Sequence, residues 1–408
     1  MKNLSTKEKI SFDAIWKRLK FMDAAVGLFL FRDPSEKVSP WLKFLTRVQL
    51  RHAILVPLVL ISTVVITKFA LINIIFCFSL VTLLLPLHCT LISCESKQKN
   101  LRRLFKWCAS LYDVKRSFRE QIREIAATHL ASLEKRASFA LKWLTIILYI
   151  DNAGYSLGFA IIGICLPDDI YPKFKLPVPF YFPFSVWENW PAFLLTIFGQ
   201  FIIAFDGASI TIYAFGLYFC TCFHVLCYLD IILASVRQLR KEMLANLEGF
   251  VIKEDLKFEK WIKILTDMIV DVHVNANICN DLFKITAFLL EIASLGSFFI
   301  FGLIMMVLKE QYLFGFGIIF VMFLFYVVCF VNEKIRDRFC EINKALYNLP
   351  WYGLSVPQKK QLLMILNCDK IQQGVSSAGI HYLTVQRFAS VVKAGYTNLL
   401  ILKDLIQK

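Results

Sequence analysis

The side chains able to do chemistry are few, and they are poorly grouped. The six histidines, His52, His88, His129, His224, His273 and His381, never pair at metal-ligand spacing. Cys220-x-Cys222-x-His224 is the one cluster, and it lies in an apolar stretch without zinc spacing. Small, buried core residues are the expectation there. No phosphate-binding glycine loop, H-E-x-x-H pair or nucleophile elbow is present. The chain is therefore read as no enzyme, with no cofactor and no metal. The better leads are polar residues inside apolar runs, because burying them is expensive. Asp151, Asn152, Gln200, Asp206 and Glu291 are of this kind. Proton relay is one chemistry open to them. No second acidic residue shares a helical turn with any of them, so hydrogen bonding between helices is the default.

Aromatic stripes give the second lead. Tyr149, Asn152, Tyr155 and Phe159 fall on one helical face, as do Phe198, Phe201 and Phe205 with Gln200 beside them. Phe316, Phe320 and Phe323 make a third stripe, and Asn73 and Phe76 sit on a fourth segment. Aromatic walls with a few polar tips suit a small hydrophobic ligand. Plain packing of a core or against lipid accounts for each stripe equally well.

These residues must be positioned by elements that water alone cannot solvate. Of 408 residues 57% are hydrophobic and only 19% charged, against roughly 45–50% and 25% in soluble proteins. Mean hydropathy is +0.59. Lipid must cover part of that surface, so the chain reads as a polytopic membrane protein. Apolar runs occur at about 53–67, 70–92, 143–165, 192–228, 284–308 and 312–331. A weaker seventh, 384–405, carries Arg387, Lys393, Lys403 and Asp404, and needs protein on one face and water on the other. No cleavable signal peptide is visible before the first run.

The net charge of +15 is read as topology rather than nucleic-acid binding. Residues 1–51 hold 11 Lys/Arg against 5 Asp/Glu, and 95–142 hold 12 against 5. The segments on the opposite side hold 4 of each. The N-terminus is thus expected inside and, after seven crossings, the C-terminus outside. The expected division is a cytosolic segment 1–52, six spans within 53–331 with a pocket in their outer half, a cytosolic helical region 332–380, and a last span 381–408. The stretches 93–142, 229–283 and 332–380 read as helical continuations of the spans, with Leu256, Trp261, Ile264, Leu265 and Ile269 at helical spacing.

The run from His381 to Lys403 resembles the C-terminal signature of insect odorant receptors, through Phe388-Ala389-Ser390-Val391 and then Tyr396-Thr397 before an aliphatic run. The outer segment with Leu176-Pro177, Phe182-Pro183-Phe184 and Trp187, followed by Phe193 and Gln200, is similar to the family's Pro- and aromatic-rich second outer loop. Lys403 and Asp404 stand where the related gustatory receptors carry Gln-Phe, and 229–283 lacks the insertion of the family's co-receptor.

The resemblance implies an all-α, seven-transmembrane-helix protein of the plasma membrane of a sensory dendrite. It implies a ligand-tuning subunit that assembles with co-receptor subunits into a heterotetrameric, nonselective cation channel opened by a small hydrophobic volatile. The last helix would line the pore through Thr397, Ile401, and Asp404 or Leu405, with Ile401 and Leu405 at the hydrophobic gate and Lys393 one turn inward. Four lysines around one path would repel cations, whereas one is tolerable, so a homomer is disfavoured. Three alternatives remain: a gustatory-type channel, a G-protein-coupled receptor with its N-terminus outside, and a transporter dependent on Asp206 or Glu291. Arg336-Asp337-Arg338 and Asn348-Leu349-Pro350-Trp351-Tyr352 fall outside the places a G-protein-coupled receptor's motifs would occupy.

Overall fold

A computed structural model describes residues 12–31, 39, 47, 85–165, 190–248, 251–252, 258–307, 313–368 and 374–406. Its main helices are α1 (Asp13–Ala25), α2 (Gln98–Leu111), α3 (Arg123–Cys165), α4 (Trp190–Ala245), α5 (Phe258–Val307), α6 (Leu313–Tyr347), α7 (Val356–Cys368) and α8 (Val385–Ile406). A further helical stretch, 85–96, leads through Lys97 into α2. Two short antiparallel hairpins complete the described elements: β1 (Leu247–Glu248) with β2 (Val251–Ile252), and β3 (Ser376–Ser377) with β4 (His381–Tyr382).

Helix length carries the main architectural point. With 56 residues, α4 is about 84 Å long, against a hydrocarbon layer of ~30 Å. Part of it, Ile197–Ala245, is long and apolar enough to cross a membrane by itself, alone in this among the described helices. The 50-residue α5 and 43-residue α3 likewise exceed one bilayer. The expected helical continuations are present: α3 begins well before residue 143, α4 continues past 228, and α5 starts at Phe258. Trp261, Ile264, Leu265 and Ile269 are buried, as their spacing predicts, whereas Leu256 lies outside the described residues.

At the end of the bundle that carries α1 and α2, the lower end below, the helices close into one apolar core. α4 is its axis, flanked by α3, α5, α6 and α1. Ile15, Leu19 and Met22 on α1 are buried, each worth roughly 1.5–3 kcal/mol as an upper bound. Phe31 meets Phe105 edge to face at 4.8 Å, and Phe12 meets His224 at 5.6 Å. His224, Cys220 and Cys222 are core residues, and His224 Nδ1 lies 2.6 Å from the Cys220 carbonyl.

Asp23 is a buried carboxylate of that core. Its carboxylate accepts from the Phe31 N–H at 2.9 Å and from the Tyr213 hydroxyl at 3.2 Å, locking the turn after α1 onto α4. Burial pushes its pKa up to about 6 despite those bonds. A ladder joins 85–97 to α5: the Thr90 and Thr286 hydroxyls at 2.9 Å, the Ser93 hydroxyl to the Leu282 carbonyl at 2.8 Å, and Lys97 to Asp281 at 2.9 Å.

The helical expectation needs correction in two of the three stretches: within 229–283 the β1–β2 hairpin separates α4 from α5, and 332–380 is interrupted as well. The β3–β4 hairpin stands where helix was expected, turning through Ala378 (φ 50°) and Gly379 (φ 81°). Left-handed backbone at two successive residues ends any helix.

Candidate functional site: the root and faces of the last helix, and an aromatic stack

Glu291 on α5 is held by three donors. One carboxylate oxygen accepts from Arg387 Nε at 2.6 Å, and the other from the Ser377 hydroxyl at 2.8 Å and His381 Nε2 at 3.0 Å. A carboxylate can only accept, so Nε2 is the protonated ring nitrogen. The side chain is 8% exposed, so these charge-assisted bonds act in a poorly solvated place.

α6 completes the clasp. Asn332, fully buried, donates to the Val375 carbonyl at 3.0 Å and the Leu383 carbonyl at 2.7 Å, and accepts from the Val375 N–H at 2.5 Å. Glu333 accepts from the Val385 N–H at 2.6 Å, placing a negative charge at the start of α8, where the helix dipole favours it. Thr384 caps the same helix by accepting from the Arg387 N–H at 3.1 Å. The root of α8 is thus held from α5 and α6 together. For Glu291 this matches the hydrogen-bonding default.

Beyond its root α8 has two unlike faces. On one, Val391 is buried, and a Cβ added at Gly395 would lie 2.6 Å from the Phe298 ring of α5. One turn on, Leu399 covers Gly302, where a Cβ would lie 2.5 Å away. Small residues on both partners let the helices approach this closely. On the other face Lys393, Thr397, Ile401 and Asp404 are all exposed, Ile401 by 55%. The side chain of Leu405 lies outside the described residues.

The stripes of α3 and α4 meet in part. Tyr149 stacks on Phe205 with ring centres 5.0 Å apart, and Phe201 continues the stack at 6.3 Å. The Tyr149 hydroxyl lies 3.1 Å from Ser209 Oγ. Phe198 stands at the end of that column, 61% exposed. Asn152, Tyr155 and Phe159 lie on α3, Gln200 on α4, and Phe316 and Phe320 on α6, but their side chains are outside the described residues, as are Asn73 and Phe76 altogether.

Sequence reasoning missed Ser209, Asn332, Ser377 and the two glycines. Ser209 had a signal, since it extends the stripe 198, 201, 205 by one turn. The others had none that spacing could supply, because their partners come from distant segments.

A mostly helical bundle whose long helices exceed the bilayer, closed by a last helix with one packed and one open face, is an architecture suited to a membrane protein. The model of the 7tm Odorant receptor family matches residues 76–396, more than three quarters of the chain, and the chain belongs to that family. It is thus an odorant receptor of the membrane, in a family of receptors rather than enzymes. In fold it is similar to the insect olfactory receptor OR5 from Machilis hrabei in complex with eugenol. There the TM-score is 0.71 at 11% identity over 96% of this chain and 97% of that one. Against OR5 without the ligand the TM-score is 0.70 at 13% identity, over 95% and 96%. No curated protein is significantly similar in sequence.

Proposed function

We propose that the chain is the odorant-tuning subunit of a ligand-gated, nonselective cation channel assembled with co-receptor subunits as a heterotetramer. The N-terminus lies inside and the C-terminus outside. A small hydrophobic volatile enters the outer half, against the stack of Tyr149, Phe201 and Phe205, and binds an open arrangement better than a closed one. In that arrangement α8 moves its open face, and the apolar ring at Ile401 and Leu405 wets. Ligand affinity of a dozen heavy atoms, at ~0.3 kcal/mol each or somewhat more, falls in the micromolar to millimolar range.

The observation that carries this reading is the two-faced α8. A helix seated on α5 through Gly395 and Leu399 leaves Lys393, Thr397, Ile401 and Asp404 together on the surface of the single chain. Such a mixed stripe suits a water-filled path between subunits better than lipid. The name of the similar structure, an olfactory receptor with eugenol, agrees with a small aromatic ligand. Patch-clamp recording over a panel of volatiles, with and without a co-receptor, tests it. Evoked cation current only with both subunits is expected. Robust current from the chain alone at matched surface expression, or none in any combination, sinks it.

A further inference from the structure

Away from the aromatic stack, a cleft opens between the stretch 85–96, α4, α5 and α6. It is a recess partly open to the outside, and its walls include Leu87, Ala214, Ala287 and Leu290. The Thr90 and Thr286 hydroxyls close one end, 2.9 Å apart. Below them, along the same pair of segments, Lys97 and Lys284 both reach Asp281, at 2.9 Å each. Two cations share one carboxylate, so a net positive charge stands at the foot of an apolar cleft. Both lysines remain 30–37% exposed. The flanking surface is apolar as well: Leu85 and Ile92 on one segment and Ile285 and Ile292 on α5 are 48–57% exposed.

We propose that this is a lipid site: an acyl chain of an anionic glycerophospholipid of the inner leaflet lies along the recess and its apolar flank, and its phosphate sits against the solvent-facing sides of Lys97 and Lys284, opposite Asp281. The partly open shape suits a chain that continues into the bilayer, and charge complementarity selects the headgroup. The inner-leaflet placement rests on the topology proposed above.

The test uses the full chain with its partner subunits in phosphatidylcholine nanodiscs. These contain a photoreactive-acyl phosphatidylserine or, in parallel, a photoreactive phosphatidylcholine. Phosphatidylserine should label peptides carrying 86–90 and 283–290 about fivefold more than phosphatidylcholine does. Excess unlabelled phosphatidylserine should displace it where phosphatidylcholine does not, a comparison that needs no variant. Lys97→Gln with Lys284→Gln should lower labelling to the phosphatidylcholine level. Equal labelling by both probes, labelling only elsewhere, or a crosslink from this face to a neighbouring subunit overturns the site. A Lys97→Cys variant in a Cys340→Ser background, probed with an impermeant maleimide in intact cells and in inside-out membrane vesicles rather than in nanodiscs, separates the two readings. Reaction only from outside overturns the topology and this placement together. Reaction from the cytosol without selective photolabelling overturns the lipid site alone.

Discussion

The two ends of α8 are held by different physics. At the root, directional bonds from Glu291, Asn332, Glu333 and Thr384 fix position and angle, and Glu291 and Asn332 are buried. Toward the far end the contacts among the described residues are apolar, Phe298 over Gly395 and Leu399 over Gly302, with the opposite face of the helix open. Apolar contact tolerates sliding and tilting, whereas a satisfied buried carboxylate tolerates neither. The proposed gating, with the far end moving about a fixed root, fits this difference, and the first two predictions below each strike one side of it.

The largest effect is expected at the root. Glu291→Ala strips three donors of their acceptor and leaves the Arg387 charge beside the hairpin. Breaking a buried pair costs about 3–5 kcal/mol, and the half exposure of Arg387 lowers this to about 2–4 kcal/mol. Melting of the purified receptor should drop by many degrees and surface delivery should fall, with Glu291→Gln between the variant and wild type. Unchanged melting would show that the clasp is incidental.

Next comes the contrast between the faces of α8. Leu399→Ser loses apolar contact over Gly302 and should cost about 1–3 kcal/mol, read as poorer assembly. Ile401→Ser, on the open face, should leave assembly intact and raise unstimulated current or alter ion selectivity. Comparison per channel rather than per cell is needed, since one such subunit among several gives a modest leak. Identical closed-state leak and selectivity for Ile401→Ser and wild type would refute the proposed register.

A third effect, smaller, lies in the apolar seat of α1. Asp23 has its folded pKa raised from 3.8 to about 6, so its protonated form is the one the fold prefers. The associated stability is fully present below the unfolded value and is lost as pH rises through about 6. Acidifying from about pH 7.5 to 5 should therefore stabilise wild type, through this group, by about 1–2 kcal/mol. Asp23→Asn should flatten that slope while other titrations persist. Parallel pH profiles of the two proteins, by melting, would refute the assignment.

How far these features could be read beforehand depended on how local their signal was. The described helices of the later spans and their continuations follow from apolar runs and from the spacing of Trp261, Ile264, Leu265 and Ile269, which a single segment contains, whereas the expected spans at 53–67 and 70–84 lie outside the described residues. The stripe Phe198, Phe201, Phe205 was visible for the same reason. The clasp was not, because Glu291 and Arg387 are 96 residues apart and Asn332 meets Val375 across 43. Spacing within one helix cannot show which distant backbone a buried amide will serve. The hairpin was hidden as well, since its turn depends on Ala378 taking a left-handed conformation that its residue type does not advertise. The glycines of the α5–α8 contact signal close approach only once their partners are known.

The smallest expected effect tests the stack itself. The Ser209 hydroxyl already donates to the Phe205 carbonyl at 2.9 Å, so in its 3.1 Å contact with Tyr149 it accepts and the phenol donates. Tyr149→Phe removes that donor, keeps the ring stacked on Phe205, and leaves Ser209 its own bond. No buried donor is stranded, so stability should fall by only about 0.5–1 kcal/mol. Ligand response should discriminate more sharply than stability does. If the stack walls the ligand site, losing the Tyr149 hydroxyl should weaken responses to a hydroxyl-bearing volatile more than to a hydrocarbon of equal size. Phe201→Ala, which opens apolar volume instead, should weaken both or shift the response toward bulkier ligands. Concentration–response curves for the paired volatiles, with an agonist acting on the partner as control, decide it. Should both variants leave the ratio of the two responses at the wild-type value, the stack is a packing feature and the ligand sits elsewhere.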